Sequence, residues 1–326
     1  MPQRKHTISH LKKMKKYFLI LFLLFAFTGI HAQEESIILK TASGDLAGTL
    51  TLPDTRTNIS VVLIIAGSGP TDRNGNQEST ENNSLKFIAE ELRKNGIASV
   101  RYDKRGIAKS EDAMTAEKDL RFETYINDVK EWISLLSKDK RFNKISIAGH
   151  SEGSLLGMIA AENNKNVNAF ISIAGAGRPA DEILKEQLDK VPKDVKDFIF
   201  PVIDSLKHGD TVANVPVIFY ALFRPSVQPY MISWLKYNPQ TEIKKLEIPV
   251  LILQGTTDVQ VTETDANLLS KAQPKAELKL IKNMNHVLKD CDTSDKEKQK
   301  PIYSNPDLPL NKEFVAELVN FIKKLK

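Results

Sequence analysis

Short runs of aliphatic and β-branched residues alternate with helix-like segments along this chain, and this alternation is what most constrains its fold. Ser60–Ala66 is the clearest run, because six of its seven residues (SVVLIIA) are apolar. Such a run is typical of a strand buried on both faces of a parallel sheet. Phe122–Leu136 instead spaces its apolar residues three and four apart, which predicts an amphipathic helix. The alternation predicts an α/β fold with a mostly parallel sheet.

The same patterns predict the other elements. Ser36–Thr41 and Leu46–Leu52 flank the turn Ser43-Gly44-Asp45 and predict a hairpin. Further strands are predicted at Ile97–Tyr102, Lys144–Ala148, Asn168–Ala174, Pro249–Gln254 and Ala276–Ile281. Further helices are predicted at Leu85–Asn95, Ser151–Asn163, Glu263–Lys271 and Asn311–Leu325.

The alternation stops between about residues 178 and 244. The pattern there is helical or irregular, and five prolines are expected to break it into short pieces: Pro192, Pro201, Pro216, Pro225 and Pro229. We expect this segment to be a helical insertion into the α/β domain, which spans residues 33–326.

The first 32 residues resemble a secretory signal peptide. Six basic residues precede the apolar run Tyr17–Ile30, and Ala32 is the small residue before a polar, acidic stretch. The run has 14 residues, fewer than the roughly 20 that a membrane-spanning helix needs. An uncleaved N-terminal anchor is the alternative, and Met14 is a second candidate start. We expect a periplasmic or secreted protein that is not inserted in a membrane once the leader is removed.

The charge balance argues against nucleic acid as a partner. The whole chain has a formal net charge of +5, but the leader carries the excess, and 40 basic and 41 acidic residues remain without it. The single cysteine, Cys291, excludes an intrachain disulfide framework and a Cys-rich zinc site. No motif calls for a metal or a cofactor, so we expect neither.

A candidate nucleophile follows the predicted strand Lys144–Ala148. The sequence Gly149-His150-Ser151-Glu152-Gly153 matches G-x-S-x-G, and the required helix comes next. In this motif the serine occupies a sharp, strained turn that exposes its hydroxyl, and side chains two positions away on either side would collide. A glycine-rich turn in which Ser151 caps the helix is the alternative interpretation.

A serine needs a base, and the region after the leader contains three histidines. His150 lies inside the G-x-S-x-G turn, and His208 lies in a polar part of the predicted insertion. His286 follows the predicted strand Ala276–Ile281, at the carboxyl edge of the sheet where open α/β folds bind ligands. His286 is therefore the best candidate for the base, and an isolated surface histidine is the alternative.

An imidazole base needs a carboxylate that fixes its tautomer. Asp258 follows the predicted strand Pro249–Gln254 and gives the chain order Ser, Asp, His. Asp290 and Asp292 are rivals, but they come so soon after His286 that they reach its far nitrogen poorly.

Two backbone N–H groups are expected to bind the oxyanion of a tetrahedral intermediate. Glu152 supplies one at the start of its helix. The second is expected from the loop after Ser60–Ala66, where Ser68 is preferred over Gly69.

Five segments together resemble the α/β-hydrolase superfamily, and more narrowly its secreted EstD-like esterases, which overlap with serine aminopeptidase-like hydrolases. In chain order they are GSGPTDRNGN, RYDKRGIAKS, GHSEG, GTTDVQV and MNHVLK, and the resemblance covers about residues 36–326. It implies an α/β-hydrolase fold, a carboxylic ester hydrolase, and a triad of Ser151, Asp258 and His286. The loop begins with Ala66-Gly67 where many lipases have His-Gly, which leaves the second oxyanion donor open.

The resemblance also carries expectations for neighbouring residues. Asp103 and Arg105 are expected to form a local ion pair rather than to act in catalysis. Asp72, Arg73 and Asn76 are expected to brace their loop. The insertion is expected to be a cap over the site, with Phe223, Tyr230 and Trp234 as candidate pocket residues and Phe219 and Tyr237 as further aromatic candidates.

The main functional hypothesis is a serine esterase that acts on a small-molecule ester through an acyl-enzyme. An exo-acting peptidase on the same triad is the runner-up, and it would need an acidic group to hold a substrate amine, for which the insertion offers Asp181, Glu182, Glu186 and Asp189. A catalytically silent binding protein of the same fold is the third possibility.

Overall fold

The structure is a computed structural model that describes residues 34–55, 57–114 and 116–325. The predicted signal peptide, residues 1–32, lies outside the described residues. From Glu35 onward the described residues form one compact unit.

One eight-stranded sheet organises the fold. Its strands are β1 (Glu34–Thr41), β2 (Gly44–Thr51), β3 (Ile59–Ile65), β4 (Ala98–Tyr102), β5 (Phe142–His150), β6 (Ala169–Ile173), β7 (Val250–Gly255) and β8 (Glu277–Ile281). Their order in the sheet is β1-β2-β4-β3-β5-β6-β7-β8. β2 runs antiparallel to β4, and every neighbouring pair from β4 to β8 is parallel. The predicted α/β architecture with a mostly parallel sheet is confirmed.

Helices cover both faces of this sheet. They are α1 (Ser84–Lys94), α2 (Phe122–Ser137), α3 (Glu152–Ala161), α4 (Ala180–Gln187), α5 (Lys193–His208), α6 (Tyr220–Phe223), α7 (Gln228–Leu235), α8 (Pro239–Lys244), α9 (Glu263–Ala272), α10 (Lys296–Tyr303) and α11 (Lys312–Lys324). Short 3-10 turns occur at Ala108–Ala113, Glu117–Asp119 and Val217–Phe219. The helices predicted at 85–95, 122–136, 151–163, 263–271 and 311–325 all form, with ends within two residues of the predicted ones.

The alternation of side chains along β3 explains why both faces are covered. Val61 and Leu63 belong to the apolar core that includes Trp132 of α2. Val62 and Ile64 belong to the core on the other face, together with residues of α1 and α11. Successive strand residues point to opposite faces, so an unbroken apolar strand requires helices on both.

The segment between β6 and β7 contains helices α4 to α8. The expectation that Pro201 would break the helical pattern is wrong, because α5 runs from Lys193 to His208 through it. Its buried residues (Ile199, Val202, Ile203 and Leu206) form one apolar stripe, whose packing outweighs the backbone hydrogen bond that a proline removes. α10 was not predicted from the sequence. Within the described residues, no helix is long and apolar enough to span a membrane.

Candidate active site

The turn between β5 and α3 holds Ser151 in an unusual conformation. Its φ of 54° and ψ of −120° lie outside the regions that L-residues favour. A Cβ atom added to Gly149 would lie 2.2 Å from the carbonyl oxygen of Gly153, and one added to Gly153 would lie 2.5 Å from the carbonyl oxygen of Ile65. Both positions therefore require glycine, and the close packing that this permits maintains the turn.

A second close approach joins the ends of β7 and β8. A Cβ atom added to Gly255 would lie 2.0 Å from the carbonyl oxygen of Met284, so only glycine fits between the two chain segments. The Thr257 hydroxyl donates to the carbonyl of Cys291 at 2.8 Å. These contacts hold the loop that carries His286 against the loop that carries Asp258.

His286 and Asp258 are hydrogen-bonded. Nδ1 of His286 lies 2.8 Å from Oδ2 of Asp258, and both side chains are buried. The other carboxylate oxygen of Asp258 accepts from the N–H groups of Gln260 at 2.8 Å and Val261 at 3.0 Å. Burial by itself raises the pKa of Asp258, but His286 and these N–H groups outweigh burial and hold that pKa below its usual value. Asp258 is therefore a carboxylate that can hold an imidazole in one tautomer.

Two cavities meet at Ser151. The first, of about 250 Å³, is lined by Ser151, His286 and Ser68 together with hydroxyl and amide side chains; we call it the polar cavity. The second, of about 260 Å³, is lined by Ser151, Glu152 and Ser68 together with aliphatic residues and Trp234; we call it the apolar cavity. The predicted nucleophile Ser151 and the predicted donor Ser68 line both cavities, while His286 lines the polar one and Glu152 the apolar one.

A buried network lies beneath the predicted oxyanion donors. Nζ of Lys104 donates to the carbonyl of Gly67 at 2.6 Å and to Oε1 of Glu152 at 3.1 Å. The hydroxyl of Tyr230 donates to Oε2 of the same Glu152 carboxylate at 3.0 Å. The side chains of Lys104 and Glu152 are only 2% and 3% exposed, so the charges compensate each other away from water.

Sequence reasoning missed Lys104. The motif RYDKRGIAKS marked its segment as lying near the site, but no residue pattern identified Gly67 or Glu152 as partners of this lysine.

The other histidines have different surroundings. Nε2 of His150 lies 2.8 Å from the carbonyl oxygen of His286, and the two rings are 4.8 Å apart between centroids. Burial, and then the proximity of His286, lowers the pKa of His150 to about 4, so His150 is neutral near pH 7 and donates to that carbonyl. His208 is exposed at the end of α5. Asp290, a rival to Asp258, accepts a hydrogen bond from the Asn311 side chain at 2.6 Å.

The aromatic candidates of the insertion lie in different places. Trp234 lines the apolar cavity, whereas Phe223 and Tyr230 are not among its lining residues. Phe223 is 1% exposed because it packs into the core, and Tyr230 directs its hydroxyl to Glu152. Phe219 stacks on Phe198. The ring of Tyr237 is tilted against that of Phe122, and its hydroxyl donates to Glu123 at 3.1 Å. The pocket prediction therefore needs correction at Phe223 and Tyr230.

Asp103 and Arg105 do not pair with each other, so that prediction is wrong. Asp103 binds the guanidinium of Arg73 at 2.6 Å, and Arg105 binds Asp128 through two nitrogens, at 2.7 and 2.6 Å. Asp103 thus ties the segment after β4 to the loop after β3, and Arg105 ties the same segment to α2.

The loop after β3 is closed by bonds within itself. The Asp72 carboxylate accepts from the N–H groups of Asn74 and Asn76, and the Asn76 amide oxygen accepts from the N–H groups of Asn82 and Asn83. These hydrogen bonds hold the loop in one conformation, as expected for residues that brace it.

Over the described ranges, no group of three or more His, Cys, Asp or Glu side chains is arranged to hold a metal ion.

Solved structures share this architecture. Est1E from Butyrivibrio proteoclasticus, solved with ferulic acid bound, has a TM-score of 0.62 at 18% identity, covering 89% of this chain and 98% of that one. The α/β-hydrolase GrgF from Penicillium has a TM-score of 0.59 at 17% identity, covering 90% and 98%. The chain therefore has the α/β-hydrolase fold.

Two sequence comparisons find similarity to an esterase and to a peptidase family. It is 27% identical to Esterase EstD of Thermotoga maritima over 253 residues, which are 74% of this chain and 58% of that protein's length. Residues 79–214 match the family described as Serine aminopeptidase, S33.

Proposed function

We propose that this protein is a serine hydrolase that cleaves carboxylic esters through an acyl-enzyme. The arrangement around Ser151 carries the proposal. A strained serine at a helix N-terminus borders the same cavity as a histidine whose other ring nitrogen binds a buried carboxylate. Similarity to Esterase EstD supports the choice of esters as substrates.

The reaction has two steps. Ser151 attacks the ester carbonyl while His286 takes the hydroxyl proton, and His286 then gives that proton to the departing alcohol. Water, deprotonated by His286, attacks the resulting acyl-enzyme and releases the acid and free Ser151. Asp258 holds the imidazole and stabilises its charged form, and the N–H groups of Glu152 and Ser68 bind the oxyanion.

A peptidase on the same triad is the second candidate, and the match to the serine aminopeptidase family favours it. An aminopeptidase needs a free acidic group for the substrate amine. Asp181 pairs with Lys207, Glu186 with Arg178, and Asp189 with Lys196, while Glu182 is exposed. Arg178 itself lines the apolar cavity. Arg178 in the cavity wall, and the pairing of three of the four candidate acids, favour an ester over an amine-bearing substrate.

We also propose that the protein is exported and loses residues 1–32. N-terminal sequencing of protein recovered outside the cytoplasm should find Gln33 first. Intact protein retained in the membrane fraction would instead support the N-terminal anchor.

Hydrolysis of 4-nitrophenyl butyrate by purified protein tests the proposed function. Wild-type protein should turn over this ester, and Ser151→Ala should lose about 10⁵-fold or more in kcat, because the nucleophile is gone. Ser137→Ala, a surface change, is the matched control. Faster turnover of amino-acid amides than of esters would favour the peptidase, and a folded wild-type protein inert to both would support the silent binding protein.

A further inference from the structure

The two cavities are lined by different kinds of side chain. The position of His286 indicates which part of a substrate would occupy each cavity. His286 borders the polar cavity and is not among the residues that line the apolar one. The base must return its proton to the alcohol oxygen, so the alcohol lies on the side of Ser151 that faces His286. The acyl group then occupies the apolar cavity.

The residues of each cavity indicate what it accepts. The polar cavity presents hydroxyl and amide groups: Thr71, Gln77, Thr80, Asn82, Gln260 and Tyr303. The apolar cavity presents mainly aliphatic and aromatic groups, among them Leu155, Ile183, Leu184, Leu222, Trp234 and Val261. Gln77 and Gln260 border both cavities, whereas Thr71, Thr80, Asn82 and Tyr303 border only the polar one. Arg178 is the one cation among its lining residues, and the Asp265 carboxylate binds it at 3.0 and 2.8 Å.

We propose that the substrate is an ester of a compact apolar acid with a polyhydroxylated alcohol of about monosaccharide size. This proposal rests on the proposed function. Some of these groups already bond within the protein, as Gln77 does with Thr71 at 2.7 Å, but amides and hydroxyls have more than one donor or acceptor site each. Hydroxyl groups of such an alcohol can both donate to and accept from the remaining sites, whereas an alkyl alcohol cannot. The aliphatic wall favours an apolar acyl chain over a charged one.

The test compares butyrate esters of two primary alcohols, methyl glucoside (at O6) and hexanol. Wild-type protein should favour the glucoside ester by about ten-fold or more in kcat/KM, since discrimination by hydrogen bonds to a substrate hydroxyl reaches that size. Thr80→Val and Tyr303→Phe should lower this preference, while Thr241→Val, an exposed threonine outside both cavities, should keep it. Leu222→Trp should shift acyl preference toward chains shorter than butyrate.

Preference for hexyl butyrate, or an equal loss on both esters in Thr80→Val and Tyr303→Phe, would overturn the substrate assignment while leaving the esterase proposal standing. If wild-type protein failed to cleave 4-nitrophenyl butyrate in addition to both test esters, the esterase proposal would be wrong, and the substrate assignment would fall with it.

A separate observation concerns the second oxyanion donor. The carbonyl of Gly67 and the N–H of Ser68 belong to one planar peptide unit, in which they point in opposite directions. Lys104 binds that carbonyl at 2.6 Å from inside the core. Ser68 is exposed and lines both cavities next to Ser151. The lysine therefore turns the N–H of Ser68 outward, toward the space above Ser151.

We infer that Lys104 is a positioning residue for the oxyanion site. Its second bond, to Glu152, links it to the residue that supplies the other N–H donor. One buried ammonium group thereby fixes both loops that contribute donors. Such preorganisation is what makes backbone donors effective on a developing oxyanion.

Paired oxo and thiono esters test this role, because sulfur accepts hydrogen bonds poorly and reports on the oxyanion site. Lys104→Met should lower kcat on the oxo ester by about 100-fold and shrink the oxo-to-thiono ratio by about ten-fold. Lys104→Met alone leaves the buried Glu152 carboxylate without its cation, which is destabilising. The double variant Lys104→Met/Glu152→Gln removes that charge as well and should show the same changes in kcat and in the oxo-to-thiono ratio. Lys109→Met changes an exposed lysine in the same segment and should match wild type.

A purely structural role would lower activity on both esters together and leave their ratio unchanged. An unchanged ratio in a folded Lys104→Met or double variant, or a kcat within about three-fold of wild type, would overturn the inference.

Discussion

The carboxyl edge of the sheet and the insertion between β6 and β7 are stabilised in opposite ways. At the edge, Ser151 is held in a strained conformation, and a buried lysine binds two loops at once. In the insertion, the ion pairs Lys193–Asp197 and Lys196–Asp189 lie at the surface, and Val217 and Ile218 are 76% and 81% exposed. Buried hydrogen bonds and ion pairs hold their atoms in place, whereas exposed ion pairs contribute little to the free energy of unfolding. Under the proposed function, the rigid edge would carry out the reaction, and the insertion would supply part of the wall that selects the acyl group.

After Ser151 itself, the largest effect is expected at Asp258. Asp258→Asn should lower kcat by about 10⁴-fold, because an amide can donate to Nδ1 and so favours the wrong tautomer of His286. Steady-state hydrolysis of 4-nitrophenyl butyrate measures this. Asp292→Asn, a nearby rival that should retain wild-type kcat, is the control. A large loss of kcat in Asp292→Asn, with wild-type kcat in Asp258→Asn, would show that Asp292 and not Asp258 is the partner of His286.

Glycine replacements test whether close packing maintains the edge. Gly149→Ala should lower the free energy of unfolding by more than about 3 kcal/mol, since the new methyl group would lie 2.2 Å from a backbone oxygen. Gly96→Ala places its methyl in open space at a φ of 80° and should cost only about 1–2 kcal/mol of backbone strain. Denaturant unfolding compares the two, and equal costs would show that packing at Gly149 is not critical.

The edge should also carry a pH dependence through His150. Its pKa of about 4 in the folded protein is below the unfolded value of about 6.5, so the unfolded chain binds more protons between these limits. The free energy of unfolding should therefore fall as pH drops from about 6.5 to 4, by about 3 kcal/mol from this group.

His150→Gln keeps a donor for the His286 carbonyl and removes the titration. Unfolding measured at pH 7 and pH 4.5 should show a smaller loss in the variant, by about 2–3 kcal/mol. The same loss in both proteins would argue against a buried, neutral His150.

The smallest effect is expected in the insertion. Ile218→Ser should change the free energy of unfolding by less than about 0.5 kcal/mol, because the side chain is already 81% exposed. Thermal unfolding measures this, with Ile203→Ser as the contrast. Ile203 is fully buried on α5, so its replacement should cost much more. A large loss at Ile218 would mean that the exposed surface of the insertion stabilises the fold.

Local patterns made the scaffold predictable. β3 shows an unbroken apolar run and α2 a helical period, so burial dictated both elements and their order. The G-x-S-x-G turn was predictable because its conformation restricts two positions to glycine. Elimination selected His286 and Asp258, and the structure places them in hydrogen-bonding contact.

Hydrogen-bond and ion-pair partners that lie far apart in the sequence could not be predicted, because only the tertiary fold brings them together. Lys104 reaches Gly67 and Glu152 from other segments of the chain, and Asp103 takes Arg73 instead of the nearby Arg105. Helix α5 continues through Pro201 because packing of its apolar stripe outweighs a local rule.

Labelling with a fluorophosphonate, followed by peptide mapping, tests the central claim most directly. We predict one adduct, on Ser151, that forms in wild-type protein and is lost in Ser151→Ala. An adduct on another residue, or undiminished labelling of Ser151→Ala, would contradict it.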